Sequence, residues 1–137
     1  TERVGFAAGL GVIKFHRKKN VFQHNKKIGK QIKRGWVDLA KKHDLRISVN
    51  NLDTIINFNF LYKNKNDYLV TLFTELMLKE NFLANNNIYI SFSHTKIIVS
   101  KYLKAVDKAF KIISEHIRNK KTILKSKVRK INYKRVS

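Results

Sequence analysis

The first third of the chain has the hydrophobic spacing of two consecutive helices. Apolar residues recur at helical spacing from Glu2 to Lys19, and Asn20 marks a break. A longer helix is predicted from Val21 to His43, where the apolar positions form a single stripe: Phe22, Ile28, Ile32, Trp36, Leu39 and Ala40. Within the first helix, Gly9 and Gly11 would allow the close approach of a neighbouring backbone.

The hydrophobic period changes to two from Arg46 onward, which predicts β-strands. Two strands are predicted at about residues 46–50 and 55–62, because apolar residues alternate there with serine and asparagine. The segment between them, Asn50-Asn51-Leu52-Asp53, is rich in residues that favour turns. A third strand is predicted from Ile88 to Phe92.

Two further helices flank the third strand. The first is predicted to begin at an N-cap, Asp67, and to reach about Glu80, whereas the second runs from Lys96 to about Asn119. The order α-α-β-β-α-β-α predicts one α+β domain over residues 1–137. In it, a three-stranded, mainly antiparallel sheet has helices packed on one face. Residues 119–137 form a basic tail with weak patterning.

Composition excludes several classes of protein and of site. A hydrophobic content of 43% in 137 residues fits one globular domain, and no apolar run reaches the roughly 18 residues of a membrane span. The absence of cysteine excludes disulfides and thiolate metal sites, and it suits a cytoplasmic protein. The five histidines show no metal-binding spacing, and the carboxylates form no acid–base pair, so no catalytic or metal-binding residue is assigned.

The net charge of +21 raises the question of a polyanionic partner. A free-standing basic domain that binds nucleic acid is therefore one hypothesis, with the basic tail as its candidate surface. However, the lysines are spread over every segment, and the chain combines many lysine, asparagine and isoleucine residues with no proline. This mixture favours a general compositional bias over a dedicated basic site, so nucleic acid is the alternative partner.

The most specific pattern lies between Asn81 and Thr95, where a predicted strand runs directly into a helix. A strand that ends in Ser91-x-x-His94-Thr95 resembles the C-terminal part of the class III, pyridoxal-phosphate-dependent aminotransferases. Ser91, His94 and Thr95 are interpreted as a structural junction between strand and helix. The ring of His94 is expected to bind the backbone there, and Thr95 is expected to open the helix.

Other segments resemble the same family in the same order, above all the glutamate-1-semialdehyde aminomutases. Three of them lie before the junction, namely Thr1–Leu10, Ile28–Ala40 and Leu76–Leu83. A fourth, Ile131–Val136, is similar to the end of the family's sequences. The resemblance therefore covers nearly the whole chain, although no single motif is very specific.

The resemblance implies that this chain is the C-terminal small domain of a larger fold-type-I enzyme. Such an enzyme is a homodimer that transfers an amino group to, or within, a small carbonyl substrate, either as a transaminase or as an aminomutase. Pyridoxal phosphate would be held by an upstream large domain, because none of the lysines here has the context of a cofactor lysine. The isolated chain is then expected to bind no cofactor and to be inactive. A non-catalytic scaffold that pairs with a separate large domain is a further alternative.

The same resemblance implies a substrate-side wall at Asn85 and Asn86. In the semialdehyde aminomutases a glutamate stands about where Asn86 stands here, and an amide cannot carry that charge. This difference favours a related aminotransferase that acts on another small carbonyl compound, such as a sugar. We therefore expect replacement of Asn86 to change substrate preference more than stability. The alternative for both asparagines is a solvated turn.

Overall fold

The helices and strands follow one another in the order that the hydrophobic pattern predicts. The computed structural model describes residues 3–119, 124–125 and 127–128. The elements are α1 (Arg3–Lys19), α2 (Val21–Lys42), β1 (Ile47–Val49), β2 (Ile55–Phe60), α3 (Asn66–Lys79), β3 (Asn87–Tyr89) and α4 (Lys96–Asn119). None of the helices in these ranges is long and apolar enough to cross a membrane. Most of the basic tail lies outside the described residues.

The three strands form an antiparallel sheet with β2 in the centre. Ile47 pairs with Phe60 on one side, and Ile88 pairs with Ile56 on the other. Because successive side chains of a strand point to opposite faces, the inward residues of β2 are buried while Asn59 is exposed. The helices α2, α3 and α4 cover the buried face, which confirms the predicted α+β fold.

Aromatic rings at the centre of β2 join the sheet to the helices. The ring of Phe58 lies 4.8 Å from that of Trp36 in α2 and 5.2 Å from that of Phe73 in α3, measured between centroids. Phe110 in α4 lies 5.8 Å from Phe58 on the same measure. The pairs with Trp36, Phe73 and Phe110 are edge-to-face, the arrangement that aromatic quadrupoles favour. The core is therefore built around one strand residue.

Two boundaries differ from the sequence prediction, namely the start of α3 and the end of β3. Asp67 is not the N-cap of α3, since the helix already includes Asn66. The side-chain oxygen of Asn66 instead accepts the backbone N–H of Phe60, at 2.9 Å. The third strand ends at Tyr89 rather than at Phe92, because the chain bends at Ser91 into a turn.

Helices α2 and α3 end with the same backbone geometry. The residue after each helix cap, Asp44 or Asn81, has a left-handed φ, of 55° and 62° respectively. The next N–H then reaches back five residues, from Leu45 to the carbonyl of Ala40 and from Phe82 to that of Met77. These bonds are those of a Schellman motif, which satisfies the last carbonyls of a helix and turns the chain sharply.

The turn between β1 and β2 is held by a lysine from α2. The ammonium group of Lys33 donates to the three carbonyls of Asn50–Leu52 at 3.4, 3.4 and 2.8 Å, and it forms an ion pair with Asp53 at 2.7 Å. The bond from Lys33 lowers the pKa of Asp53. Gly29 permits this approach, since a Cβ there would lie 1.7 Å from the carbonyl oxygen of Asp53.

Helix α1 differs from the prediction in its packing. None of its residues is buried, and among the helices and strands it contacts α2 alone. The close approach that Gly9 and Gly11 would allow is not made within the described residues, where nothing lies within 4 Å of an added Cβ. Phe22, predicted on the apolar stripe of α2, is 62% exposed.

We predict that Trp36→Ala lowers the free energy of unfolding by about 3–5 kcal/mol, the usual cost of removing a buried aromatic side chain. The ring is fully buried, and its Nε1–H donates to the hydroxyl of Tyr102 at 3.1 Å. Urea denaturation of the chain measures the loss, with Phe22→Ala as the exposed control. A loss below about 1 kcal/mol would contradict the central position of Trp36.

We also predict that Gly29→Ala lowers the free energy of unfolding by about 1–3 kcal/mol, because the methyl group would overlap backbone atoms of Asp53. Gly9→Ala is the matched control, since it lies in open space and should gain up to about 1 kcal/mol of helix propensity. Thermal unfolding of both variants tests the pair. Equal melting temperatures would mean that the turn moves aside at no cost.

Candidate functional site

The candidate residues lie on the segment that connects α3 to α4. After the left-handed Asn81, the chain reaches β2 at Asn86, then forms β3 and the turn before α4. The ring of Phe82 packs edge-to-face on Tyr102 of α4, with the centroids 5.7 Å apart. The segment is thus anchored at its start and passes over the core.

Asn86 faces the sheet and is only 6% exposed. Its Nδ2 group donates to the carbonyl of Phe58 at 2.8 Å, and its own carbonyl accepts the N–H of Phe58 at 3.1 Å. A second, longer contact runs from Nδ2 to the side-chain oxygen of Asn59. Asn86 therefore extends the pairing of β2 and β3 by one step, and it is not a solvated turn residue.

This environment supplies a physical reason for an amide at position 86. The group next to the side chain is a carbonyl oxygen, which requires a donor. An amide NH₂ provides one, whereas a carboxylate has none to offer. The asparagine thus suits the packing of this chain, whatever its role toward a substrate.

Asn85 is less buried than Asn86 and lies beside a cavity. Its Oδ1 accepts the N–H of Asn86 at 2.7 Å, and its half-buried side chain lines a cavity of about 310 Å³. Thr71, Thr74, Leu83 and Ala84 form the rest of that wall. Within the described part of the chain, no hydrogen bond engages the NH₂ group of Asn85.

The junction is a compact turn closed by a histidine. The Nδ1 atom of His94 lies 3.0 Å from the backbone N–H of Ser91 and 2.9 Å from its hydroxyl. The carbonyl of Ser91 accepts the N–H of His94. Thr95 directly precedes α4, and its hydroxyl oxygen accepts the N–H of Ile98 at 3.4 Å.

These bonds determine the tautomer of His94. Because Nδ1 accepts a backbone N–H, the proton of the neutral ring must be on Nε2. The ring lines a second cavity, of about 270 Å³, together with Leu83, Tyr89, Ile98 and Tyr102. Burial raises the pKa of Tyr102, although Trp36 donates to its oxygen, so the phenol stays neutral.

Leu83 and Ala84 line both cavities. Asn85 and His94 are near one another in sequence but do not share a cavity. Neither cavity is lined by a lysine, aspartate or glutamate. Within the described residues, no group of three or more histidine, aspartate or glutamate side chains converges as a metal site.

The sequence analysis missed a contact between the first turns of α2 and the turn that contains Ser91 and His94. His24 donates from Nε2 to the carbonyl of His94 at 3.2 Å, and Asn25 donates to the carbonyl of Ile90 at 3.2 Å. Phe92 lies between the rings of Phe15 and His24. The two hydrogen bonds join residues that are 70 and 65 positions apart, respectively, so no local pattern in the sequence predicts them.

Comparison with known proteins adds one structural likeness. No family model matches the sequence, and no curated protein matches it. Among solved structures, the chain is similar to the PLP internal aldimine form of the FumI protein of Sphingopyxis sp. MTA144. The match has a TM-score of 0.74 and 18% identity, and it covers 85% of this chain.

This chain shares the fold of a part of FumI. The matched part is 28% of the FumI chain, so this chain spans little more than a quarter of that protein. At such low identity the likeness establishes the fold, and it assigns no residue of this chain to chemistry.

We predict that Asn86→Asp lowers the free energy of unfolding by about 1–3 kcal/mol, because it removes the donor to Phe58 and leaves two acceptors facing each other. Asn85→Asp, one residue earlier and less buried, is the matched control and should cost less. Denaturant melts of both variants measure the difference. This cost adds to any effect on substrate preference, and equal losses at the two positions would contradict the structural role of Asn86.

Proposed function

We propose that this chain is the small domain of a pyridoxal-phosphate-dependent enzyme that moves an amino group. The observation that carries the proposal is the match to FumI, a protein solved with its PLP aldimine, over 85% of this chain. The order of motifs in the sequence supports the narrower assignment to the class III aminotransferases. The substrate would be a small carbonyl or amino compound.

The two cavities beside the candidate residues do not fit the cofactor. Pyridoxal phosphate requires a lysine for its aldehyde, a carboxylate for its ring nitrogen and donors for its phosphate. The two cavities beside the candidate residues are lined by neither a lysine nor a carboxylate. In this proposal the cofactor is held by another part of the enzyme, and the present domain closes one side of the active site.

Asn85 is the residue that we assign to the substrate side. Its Oδ1 atom is engaged by the N–H of Asn86, which orients the amide and turns the NH₂ group away from that bond. A neutral NH₂ donor suits a carbonyl or hydroxyl oxygen of a substrate. Asn86 then acts as a positioning residue, because its bonds to Phe58 hold the neighbouring backbone in place.

The experiment is to isolate the native polypeptide from its source cell with an antibody raised against this chain. Its intact mass and its content of pyridoxal phosphate are then measured. We expect a polypeptide several times longer than 137 residues, or a stable complex of that size, that carries the cofactor. A product of this length without cofactor or partner would overturn the proposal.

If the cofactor is present, kinetics on the intact enzyme test the role of Asn85. We expect Asn85→Ala to lower kcat/KM by roughly 10-fold, the ratio that about 1.4 kcal/mol of lost binding gives. Asn85→Gln keeps the donor and should recover part of the loss. An unchanged kcat/KM across amino donors and acceptors would remove Asn85 from the site.

A further inference from the structure

A cavity of about 210 Å³ lies where the ends of four elements meet. Its lining residues follow α2, precede β1, follow β2 and belong to the last turns of α4. Leu45 and Ile117 supply the apolar wall, whereas the other five lining residues carry polar or charged groups. None of the seven lines a cavity beside Asn85 or His94, so this cavity shares no wall with the candidate site.

Arg46 is held at this cavity by three contacts with the residues that follow β2. Its carbonyl accepts the N–H of Leu61 at 2.8 Å, and its own N–H donates to the hydroxyl oxygen of Tyr62 at 3.2 Å. Its guanidinium carbon lies 4.9 Å from the centre of the Tyr62 ring, which is within the range of a cation–π interaction. The positive charge of Arg46 is therefore fixed in position, although the residue is exposed.

The second arginine of the cavity, Arg118, is bound only loosely. Its partner is Asp44, whose carboxylate lies 3.6 Å from the guanidinium, and the two side chains are 64% and 88% exposed, respectively. An ion pair this exposed contributes little, because water screens the charges and both side chains lose freedom. Another anion can therefore displace Asp44 from Arg118 at small cost.

Two hydroxyl groups of the wall have a donor left over. Ser114 is only 7% exposed, yet its hydroxyl makes no hydrogen bond within the described residues. In the same part of the chain, the hydroxyl of Tyr62 accepts the N–H of Arg46 but has no acceptor for its own proton. A mostly buried hydroxyl without a protein partner is usual only where water or a ligand completes its hydrogen bonds.

The charges and donors of the cavity select an oxyanion. The wall carries the guanidinium groups of Arg46 and Arg118 and the carboxylate of Asp44, so its net charge is 2 − 1 = +1. A guanidinium only donates hydrogen bonds, and its geometry matches the two oxygens of a carboxylate or phosphate group. The cavity is smaller than the roughly 300 Å³ at which pockets for drug-sized ligands begin. It therefore suits a small anion, or the charged end of a larger molecule.

The dipole of α4 does not by itself explain this arrangement. Arg118 lies in the last turn of that helix, where a cation is favoured. Arg46 lies outside the helices, and its guanidinium stacks on Tyr62 instead. Ser114 has no charge on which the dipole could act, yet it lines the same cavity. The convergence of these groups on one cavity therefore has a reason other than the dipole.

We propose that this cavity is a binding site for an oxyanion, namely the phosphate or carboxylate group of a small ligand. Arg46 and Arg118 supply the charge, and Ser114 donates a hydrogen bond to the bound oxygen atoms. Asp44 occupies Arg118 until the ligand displaces it. The proposal does not depend on the proposed function, because none of these residues belongs to the candidate site.

The test is a titration with sodium phosphate and, separately, with sodium acetate. Sodium chloride keeps the ionic strength constant, so that screening is equal throughout. The sample is the polypeptide that contains this chain, in the length in which the source cell makes it, labelled with ¹⁵N-arginine. The side-chain Nε–H signals of Arg46 and Arg118 are assigned by their loss in Arg46→Gln and Arg118→Gln.

We expect both arginine signals to move along one saturating curve, with a Kd in roughly the millimolar range. One curve for two residues from different elements means that a single ligand contacts both. Shifts that stay linear, that fit two different curves or that do not appear with either anion would overturn the proposal.

Variants separate a built site from the general charge of the chain. Followed on the signal of Arg46, Arg118→Gln should weaken binding at least roughly 10-fold, since it removes a charged hydrogen-bond partner. Ser114→Ala keeps the packing and should weaken binding roughly 3-fold. Lys111→Gln is the matched control, because it removes an exposed charge from the same helix but does not line the cavity. Equal weakening by Lys111→Gln and Arg118→Gln would assign the effect to the net charge of +21 and overturn the proposal.

Asp44→Asn should produce a gain that a purely structural role would not. Asparagine tolerates the left-handed φ of 55° at this position, so the turn is kept. Because the variant removes the competing carboxylate, we expect the anion to bind roughly 3-fold more tightly. Weaker or unchanged binding would contradict the displacement of Asp44.

The two titrants identify the source of the oxyanion. Tighter binding of phosphate would assign the site to a phosphate-bearing ligand, and tighter binding of acetate would assign it to a carboxylate-bearing one. Either result upholds the site, provided that the arginine and serine variants weaken it as expected.

Discussion

The one-sided burial of strand β2 is the constraint on which the rest of the domain depends. The strand is hydrogen-bonded on both edges, so its backbone is fixed, and every second side chain must face the helices. Phe58 occupies the middle of that face, where rings from α2, α3 and α4 meet it. The three core helices therefore take their positions from a single strand residue and its neighbours. Asn86 belongs to the same arrangement, because it bonds to the backbone of Phe58.

Periodicity predicted the order of the elements because each face of each element is buried against one common core. The stripes of α2 and α4 and the alternation in β2 all reflect that core, so the fold class could be read without a structure. The ends of elements were less predictable. The side-chain oxygen of Asn66 accepts the N–H of Phe60 in β2 instead of capping its own helix. This bond forms only when the strand and the helix are brought together by folding. The end of the second helix was predicted at His43, and the structure supplies the geometry of the turn that follows it at Asp44.

The candidate site was harder to predict than the fold. A run of asparagines before a strand is typical of a solvated turn, and the burial of Asn86 depends on a carbonyl 28 positions earlier. Likewise, the bonds from His24 and Asn25 to the segment around the junction turn join residues 70 and 65 positions apart. The motif of Ser91, His94 and Thr95 was visible, since each of its bonds joins residues three positions apart: Ser91 with His94, and Thr95 with Ile98. Polar contacts between residues that are close in the sequence could therefore be predicted, whereas those between distant residues could not.

The left-handed positions of this chain carry a consequence for how its ancestry can be traced. All four described residues with positive φ are asparagine or aspartate, and no described glycine has a positive φ. Asparagine tolerates that conformation through its short polar side chain, so it can serve where glycine is usual. Sequence comparison scores the two residues as different, although the backbone accepts either. Where asparagine replaces glycine at such positions, the similarity of the sequence to its relatives falls while the backbone conformation, and with it the fold, is kept.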